Sequence, residues 1–322
     1  MIATADHWDL WQRDPRATPF QSPAWLQAWW THLGGGERLD IAVRDSRGRL
    51  VAALPMFVWH DDGRRKLVPV GAGHSDYCDA LADPAAGSTE ALSAALWTEI
   101  AASNDRWDEL LLPDLRPDSP LLRTVPEQLI AVDGAAEVCP VLTLPKDGPA
   151  GALLPALGKT QRRKVVHDRH RADNLGGVTV ALAAPHEIDA ALEALFDLHA
   201  ARWQAVGEAG VLADPKVRAF HRAAAPALAA AGLLQLVIVR LDRRIVAVLH
   251  GFADRNRWYS YINGVDHQTP GQSFGTLAFA CMIEAAVAAG ASEFHFLRGE
   301  EPYKYAWGAV PTHTTRRVVR KR

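Results

Sequence analysis

Hydrophobic and polar positions are most regularly ordered towards the end of the chain. LLQLVIVR, from Leu233, reads as a strand, LDRR as a tight turn, IVAVLHGFA as a second strand, DRNR as another turn and WYSYING as a third strand. A helix over Gly271 to Ala289 follows, Gly290 stops it, and it delivers the strand EFHFL. A last strand falls within Thr314 to Val319. Ser22 and Pro23 form a cap and first helical position, which predicts a helix to His32, ended by Gly34 to Gly36. LDIAVR, the turn DSRG and RLVAALPMFVW read as a hairpin. Lys66 to Val70, the DELLLPD segment from Asp108 and Val138 to Leu144 are further strands, and Ser88 to Ala102 is helical. Thr160 to Asn174, His186 to Ala205 and Asp214 to Ala230 are helices, with the strand VTVALA after the first of them.

The two halves of this pattern echo each other. VRDSRGRLVAAL, at Val43 to Leu54, resembles VRLDRRIVAVL, at Val239 to Leu249. Each is strand, charged turn and strand, followed by a third strand, a helix and a short buried strand. The shared order of elements suggests an internal duplication. The proline-rich stretch from residue 113 to 150 places a boundary that divides the chain into 1–148 and 149–322. A chain of 322 residues fits two domains better than one.

Composition narrows the classes. A net charge of −2 gives no global attraction to DNA. Three widely spaced cysteines, Cys78, Cys139 and Cys281, give neither a disulfide framework nor metal-ligand spacing, so no metal is expected and a reducing compartment fits. The first residues show no signal-peptide pattern, and no apolar run is long enough to span a bilayer, which predicts a cytoplasmic protein without a membrane span. Eleven tryptophans are present, several of them early, at Trp8, Trp11, Trp25, Trp29 and Trp30. They read as packing residues, or alternatively as a sugar- or lipid-facing aromatic surface.

Candidate chemistry gathers in GVDHQTPGQSFGT, which joins the third strand of the second half to its helix. Pro270 suits a helix start, Gly271 and Gly275 allow close approach of a ligand, and first-turn N–H groups favour a pyrophosphate. Ser273 and Thr276 add hydroxyl donors. An ordinary capped helix is the alternative.

The stretches YSYINGVD, TPGQSFGTLAFACMIEAAVAAGA and EFHFLRGEEPYKYAWG resemble the C-terminal acetyltransferase domain of the CelD-like, polysaccharide-biosynthesis-associated group of the acyl-CoA N-acyltransferase (GNAT) superfamily. That group is similar to the Fem-type peptidyltransferases, which pair two such domains. KTQRRKVVHDRHRADNLGG, LFDLHAARW, FQSPAWLQAWW and VGAGHSDYCD fit it as well. The resemblance implies an α/β fold of tandem GNAT-like domains, each a mixed antiparallel and parallel sheet flanked by helices, the first a degenerate copy. It also implies acyl-CoA bound across splayed strands of the second domain. Ile262, Asn263 and Gly264 would offer backbone groups to the pantetheine arm, and Gly271, Gln272, Ser273, Phe274, Gly275 and Thr276 would cradle the pyrophosphate. The superfamily loop is matched loosely, by Gln268, Gly271 and Ser273, which leaves acetyl-CoA, a longer acyl-CoA and an aminoacyl carrier open as donors.

The superfamily reaction is attack of an amine on a thioester. In related domains a tyrosine after the fourth strand serves as the acid, which the resemblance carries to Tyr303, with a buried structural tyrosine as the alternative; Glu300, Glu301 and Asp266 are candidate bases, or solvated carboxylates. Arg298 and Lys304 would bind an anionic acceptor or a CoA phosphate. In GHSDYCD, Asp76 and Tyr77 would contact the acceptor if the halves pack as in Fem-type tandems; a turn with Asx caps is the alternative. The basic helix reads as a solvated face or as a site for a phosphorylated acceptor, membrane headgroups or tRNA. Together these readings predict an N-acyltransferase acting on a small or carrier-linked amine such as an amino sugar in envelope or exopolysaccharide synthesis. A Fem-like transferase using charged tRNA, less favoured by the modest basic surface, and a non-catalytic binding module are the alternatives. Nothing in the sequence fixes the oligomeric state.

Overall fold

Two side-chain caps start the chain's first helices. Thr4 accepts the His7 N–H at the head of α1 (Ala5–Arg13), which the sequence pattern does not announce, and Ser22 accepts the Trp25 N–H at 3.3 Å at the head of α2 (Pro23–Leu33). The protein is described here by a computed structural model over residues 4–123, 125–145, 153–269 and 273–322. It divides into two compact units, Met1–Val138 with His313–Arg322, and Cys139–Thr312. The boundary expected between residues 148 and 149 lies outside the described residues.

In the first unit, β1 (Glu37–Arg38), β2 (Ile41–Arg44), β3 (Leu50–Leu54), β4 (Met56–Asp61), β5 (Arg64–Pro69) and β6 (Leu81–Ala82) precede α3 (Thr89–Ala102). Then come β7 (Glu109–Leu115) and β8 (Leu129–Val138), and the chain's last strand, β15 (His313–Lys321), completes the set. One sheet has the order β1-β4-β5-β7-β15-β8 and a second the order β2-β3-β6. The run RLVAALPMFVW is therefore two strands rather than one. Pro55 divides it, because a proline offers no N–H to a ladder; β3 pairs β2 and β4 pairs β5. Trp97, Trp107, Leu67, Leu110 and Leu112 are fully buried between the main sheet and α3.

In the second unit, β9 (Val141–Thr143), α4 (Leu153–Ala156), α5 (Lys159–Leu175), β10 (Val178–Leu182), α6 (Ile188–Gln204) and α7 (Pro215–Ala230) lead to the strands β11 (Leu234–Leu241), β12 (Arg244–Asp254) and β13 (Arg257–Val265). Helix α8 (Phe274–Ala288) then crosses to β14 (Glu293–His295), and α9 (Pro302–Ala306) follows. The sheet order is β10-β11-β12-β13-β14-β9. Here the strand that corresponds to β3 and β4 is the unbroken β12, which pairs β11 on one side and β13 on the other. Both units share the hairpin, the crossover helix and a following parallel strand: β5 with β7, and β13 with β14. The fold is thus mixed α/β with two sheet-bearing units. Apolar α8 lies on the second sheet, with Phe274, Met282, Ile283 and Ala286 fully buried against Val237, Val246 and Leu249. Phe274, Met282 and Ile283 each contribute about 1.5–3 kcal/mol through burial.

Candidate active site

The pairing of β13 with β14 is short. Arg257, Trp258 and Tyr259 face Glu293, Phe294 and His295, and there the ladder stops, although β13 continues to Val265. The unpaired stretch follows a bulge: His250 pairs Ile262 and Gly251 pairs Ser260, so Tyr261 is the extra residue. A bulge bends its strand and re-aims the residues beyond it. The Asp266 N–H donates to the Val246 carbonyl at 2.8 Å. Main-chain groups alternate sides along a strand, so those of Gly264 and Ile262 also face β12, while those of Asn263 and Val265 face the edge that β14 has left.

A cavity of about 550 Å³ lies against that edge. Asn263 and Val265 line it, as do Ser273, Gly275 and Thr276 at the start of α8. First-turn N–H groups of a helix have no intrahelical acceptor. The Ser273 hydroxyl does not cap them, being bonded to the Thr276 hydroxyl at 2.8 Å, although the Ser273 carbonyl accepts the Thr276 N–H at 3.1 Å. A Cβ added at Gly275 would touch Val265 at 3.5 Å, so glycine keeps the wall low there. Phe279, Tyr303 and Trp307 form an aromatic wall, with Phe279 and Tyr303 ring centroids 5.3 Å apart. Arg202 of α6 supplies positive charge, as does Lys164 of α5, whose ammonium is also paired with Asp168 at 2.7 Å, and among the described lining residues there is no carboxylate. The lining suits a ligand with anionic phosphates and an apolar arm.

Tyr303 is 40% exposed and packs on Phe279 and Phe296. Burial of the ring, reinforced by the nearby Glu301 carboxylate and opposed by Arg202, pushes its phenol well above the ordinary range. It therefore stays protonated at neutral pH and can serve as a proton donor.

Lys304 does not face the cavity. It is 2% exposed, and its ammonium donates to the carbonyls of Leu297 (3.2 Å), Arg298 (2.6 Å) and Gly299 (3.1 Å) and pairs with Glu301 (2.9 Å). The expected contact with an anionic acceptor gives way to a structural one: the ammonium folds the loop between β14 and α9 around itself. Leu297 at φ 58° and Gly299 at φ 108° make the bends that bring those carbonyls together. Glu301, a candidate base, is thereby tied to Lys304, though its side chain remains 52% exposed. Arg298 contributes its carbonyl to the same cluster.

Asp266 serves the backbone instead of the cavity. It accepts the Gln268 N–H at 2.8 Å and pairs with Arg244 at 2.7 Å. Burial works against its charge, but these partners outweigh it and hold the carboxyl below the usual range, which makes it a poor base. Gly264 has a packing role. A Cβ there would lie 2.8 Å from the Leu198 Cβ and 3.0 Å from the Leu195 carbonyl, so glycine lets α6 lie close on β13. Ile262 turns its main chain to β12 rather than to the cavity. Gly271 and Gln272 lie outside the described residues. Asp76 and Tyr77 belong to the first unit, 4% and 2% exposed. The Tyr77 carbonyl accepts from the Gln21 side chain at 2.9 Å and its ring packs on Phe20. Such burial leaves these side chains no face for an acceptor.

The sequence pattern did not single out Val265, His267, Arg202, Phe279 or Trp307, all of which line the cavity. The parity of β13 relative to Asn263 could have found Val265, and the HAARW helix end could have flagged Arg202.

An open α/β sheet with a splayed strand pair beside a helix start is the kind of crevice in which α/β folds bind ligands. Residues 159–305 match the family model described as Acetyltransferase (GNAT) domain, so that part of the chain is similar to GNAT acyltransferase domains. Among solved structures, a conserved protein of unknown function from Bacteroides thetaiotaomicron is 15% identical, with a TM-score of 0.64 over 100% of this chain and 99% of that one. FemX is 12% identical, with a TM-score of 0.63 over 98% and 96%. L-PGS from Bacillus licheniformis is 10% identical, with a TM-score of 0.55 over 92% and 91%. At these identities the likeness is one of fold. No curated protein matches the sequence. No helix among the described residues is long and apolar enough to cross a membrane, and they hold no cluster of metal-ligating side chains.

Proposed function

We propose that the second unit transfers an acyl group from acyl-CoA to an amine. The observation that carries this reading is the stretch of β13 past Tyr259, where Asn263 and Val265 turn main-chain groups with no partner among the described residues toward a cavity that also receives the start of α8. The thioester supplies an activated acyl carbon. Asn263 and Val265 hold the pantetheine arm as a neighbouring strand would. The first turn of α8, with Ser273, Gly275 and Thr276, receives the pyrophosphate, and Lys164 and Arg202 offset its charge. The amine forms the new C–N bond as the C–S bond breaks. Its proton passes to a base, and the departing thiolate takes a proton from the Tyr303 hydroxyl. His267, which lines the cavity, is the first base candidate; Glu301 is the second. The amine acceptor is small or carrier-linked, and the CelD-like character of LRGEEPYKYAWG favours an amino sugar of envelope or exopolysaccharide synthesis in the cytoplasm.

Thermal-shift titration with acetyl-CoA, longer acyl-CoAs and charged tRNA tests the donor. A shift specific to acyl-CoA is expected. A shift with charged tRNA alone would replace the donor by an aminoacyl carrier, and no shift with any of them would make the unit a non-catalytic module.

A further inference from the structure

The first unit has an apolar pocket of its own. Alternate residues of a strand face opposite sides of its sheet. Met56, Val58, Leu67, Leu110 and Leu112 face the α3 side and are buried there. Phe57 and Trp59 of β4, Val68 of β5, and Leu111 and Pro113 of β7 face the other side, which α2 covers with Trp29 and Leu33. Between them lies a cavity of about 550 Å³. Trp59 is 48% exposed at its rim, an unusual position for the largest apolar side chain. Gly35 and Gly73 also line it.

Two features define what would fit. Among the described lining residues there is no carboxylate, amide or hydroxyl side chain. The Trp29 indole N–H is already committed to His74 Nδ1 at 3.2 Å. The hydroxyls of a sugar would therefore lose water without gaining partners, which costs affinity. Among the described lining residues the one that carries charge is Arg316 of β15. It lies on the strand face opposite Arg317, whose guanidinium is bonded to Asp133 at 2.6 Å. The Arg316 guanidinium is exposed and has no hydrogen bond or ion pair among the described residues.

We propose that this pocket binds a small amphipathic anion, with an unbranched aliphatic chain between Trp29, Phe57, Trp59 and Leu111 and a monoanionic head on Arg316. The site is independent of the acyl-donor reading, because all its residues lie in the first unit. Calorimetric titration of the full chain with octanoate, octanol, octylamine and octyl glucoside tests it. Octanoate should bind saturably, more tightly than octanol, and octylamine and octyl glucoside should not bind. Lengthening the acid from hexanoate to decanoate should tighten binding about fourfold per methylene. Arg316→Gln should weaken octanoate about fivefold and leave octanol unchanged. Trp59→Ala should weaken both ligands. Leu111→Trp should weaken both ligands by narrowing the pocket; both of the other replaced side chains are exposed, so the test stands if this variant fails to fold. Octylamine binding as tightly as octanoate, a preference for the glucoside, or affinities unchanged in Trp59→Ala would overturn the proposal.

Discussion

Replacing Lys304 by methionine keeps the aliphatic stem and removes the ammonium. Three carbonyls, at 2.6–3.2 Å, and the Glu301 carboxylate then lose their shared partner. Each orphaned buried acceptor costs about 1–3 kcal/mol, and breaking a buried ion pair from one side about 3–5 kcal/mol. Glu301 is half exposed and the bonds to Arg298 and Gly299 are only part-buried, so water relieves some of this. A net loss of about 3 kcal/mol for the loop Leu297–Glu301 and α9 is expected, roughly a hundredfold in their opening equilibrium. Hydrogen exchange followed by mass spectrometry reads this directly, on peptides covering that loop and α9. Exchange there should accelerate about a hundredfold in Lys304→Met. In Glu301→Gln it should rise less than about fivefold, because a half-exposed pair is worth about 1 kcal/mol or less. Equal exchange in wild type and Lys304→Met would refute the claim that the ammonium organises this loop.

The same geometry sets other expectations. Tyr303→Phe should lower kcat by about 10²-fold or more with KM for the donor little changed, measured by thiol release; an unaltered kcat would remove Tyr303 from the chemistry. Gly275→Val, whose side chain would enter the cavity beside Val265, should weaken acetyl-CoA binding at least tenfold by calorimetry without lowering Tm. Gly264→Val should instead lower stability by about 1–3 kcal/mol or more, because α6 must move off β13. His250 is fully buried among His221, Phe252 and Tyr261, has no hydrogen-bond partner on either ring nitrogen among the described residues, and burial pushes it down to about 3. Between its unfolded value of about 6.5 and that folded value, the unfolded chain binds a proton that the folded one does not, so stability falls as pH drops, by about 1.4 kcal/mol per unit. His250→Phe should flatten that slope in denaturation measured between pH 6 and 4, and an unchanged slope would locate the acid sensitivity elsewhere.

Much of the fold is legible locally. The Ser22–Pro23 cap, the LDRR and DRNR turns and the apolar run of α8 each specify their element from neighbouring residues alone. The features that escape such reading depend on distant partners. Pro55 marks a break, but only the pairing of β3 with β2 and of β4 with β5 shows that it divides one strand between two sheets. The strand at His313–Lys321 is evident as a strand, yet its neighbours are β7 and β8 of the first unit, far away in sequence. GVDHQTPGQSFGT is legible as a segment that borders the cavity, but which way its residues face depends on register. Gly264 looks like a ligand-facing glycine and is a helix-packing one; Val265 looks like a core residue and lines the cavity. Lys304 is indistinguishable in sequence from a surface lysine, because the carbonyls that bury its charge come from a loop bent at Leu297 and Gly299.

Per-residue amide exchange, read by NMR with and without acetyl-CoA, tests the splayed-strand site most directly. The amides of Asn263 and Val265 should be slowed by the donor, while those of Ile262 and Gly264, already bonded to β12, should keep their rates. Protection of all four alike, or of none while acetyl-CoA is bound, would contradict the placement of the donor along the free edge of β13.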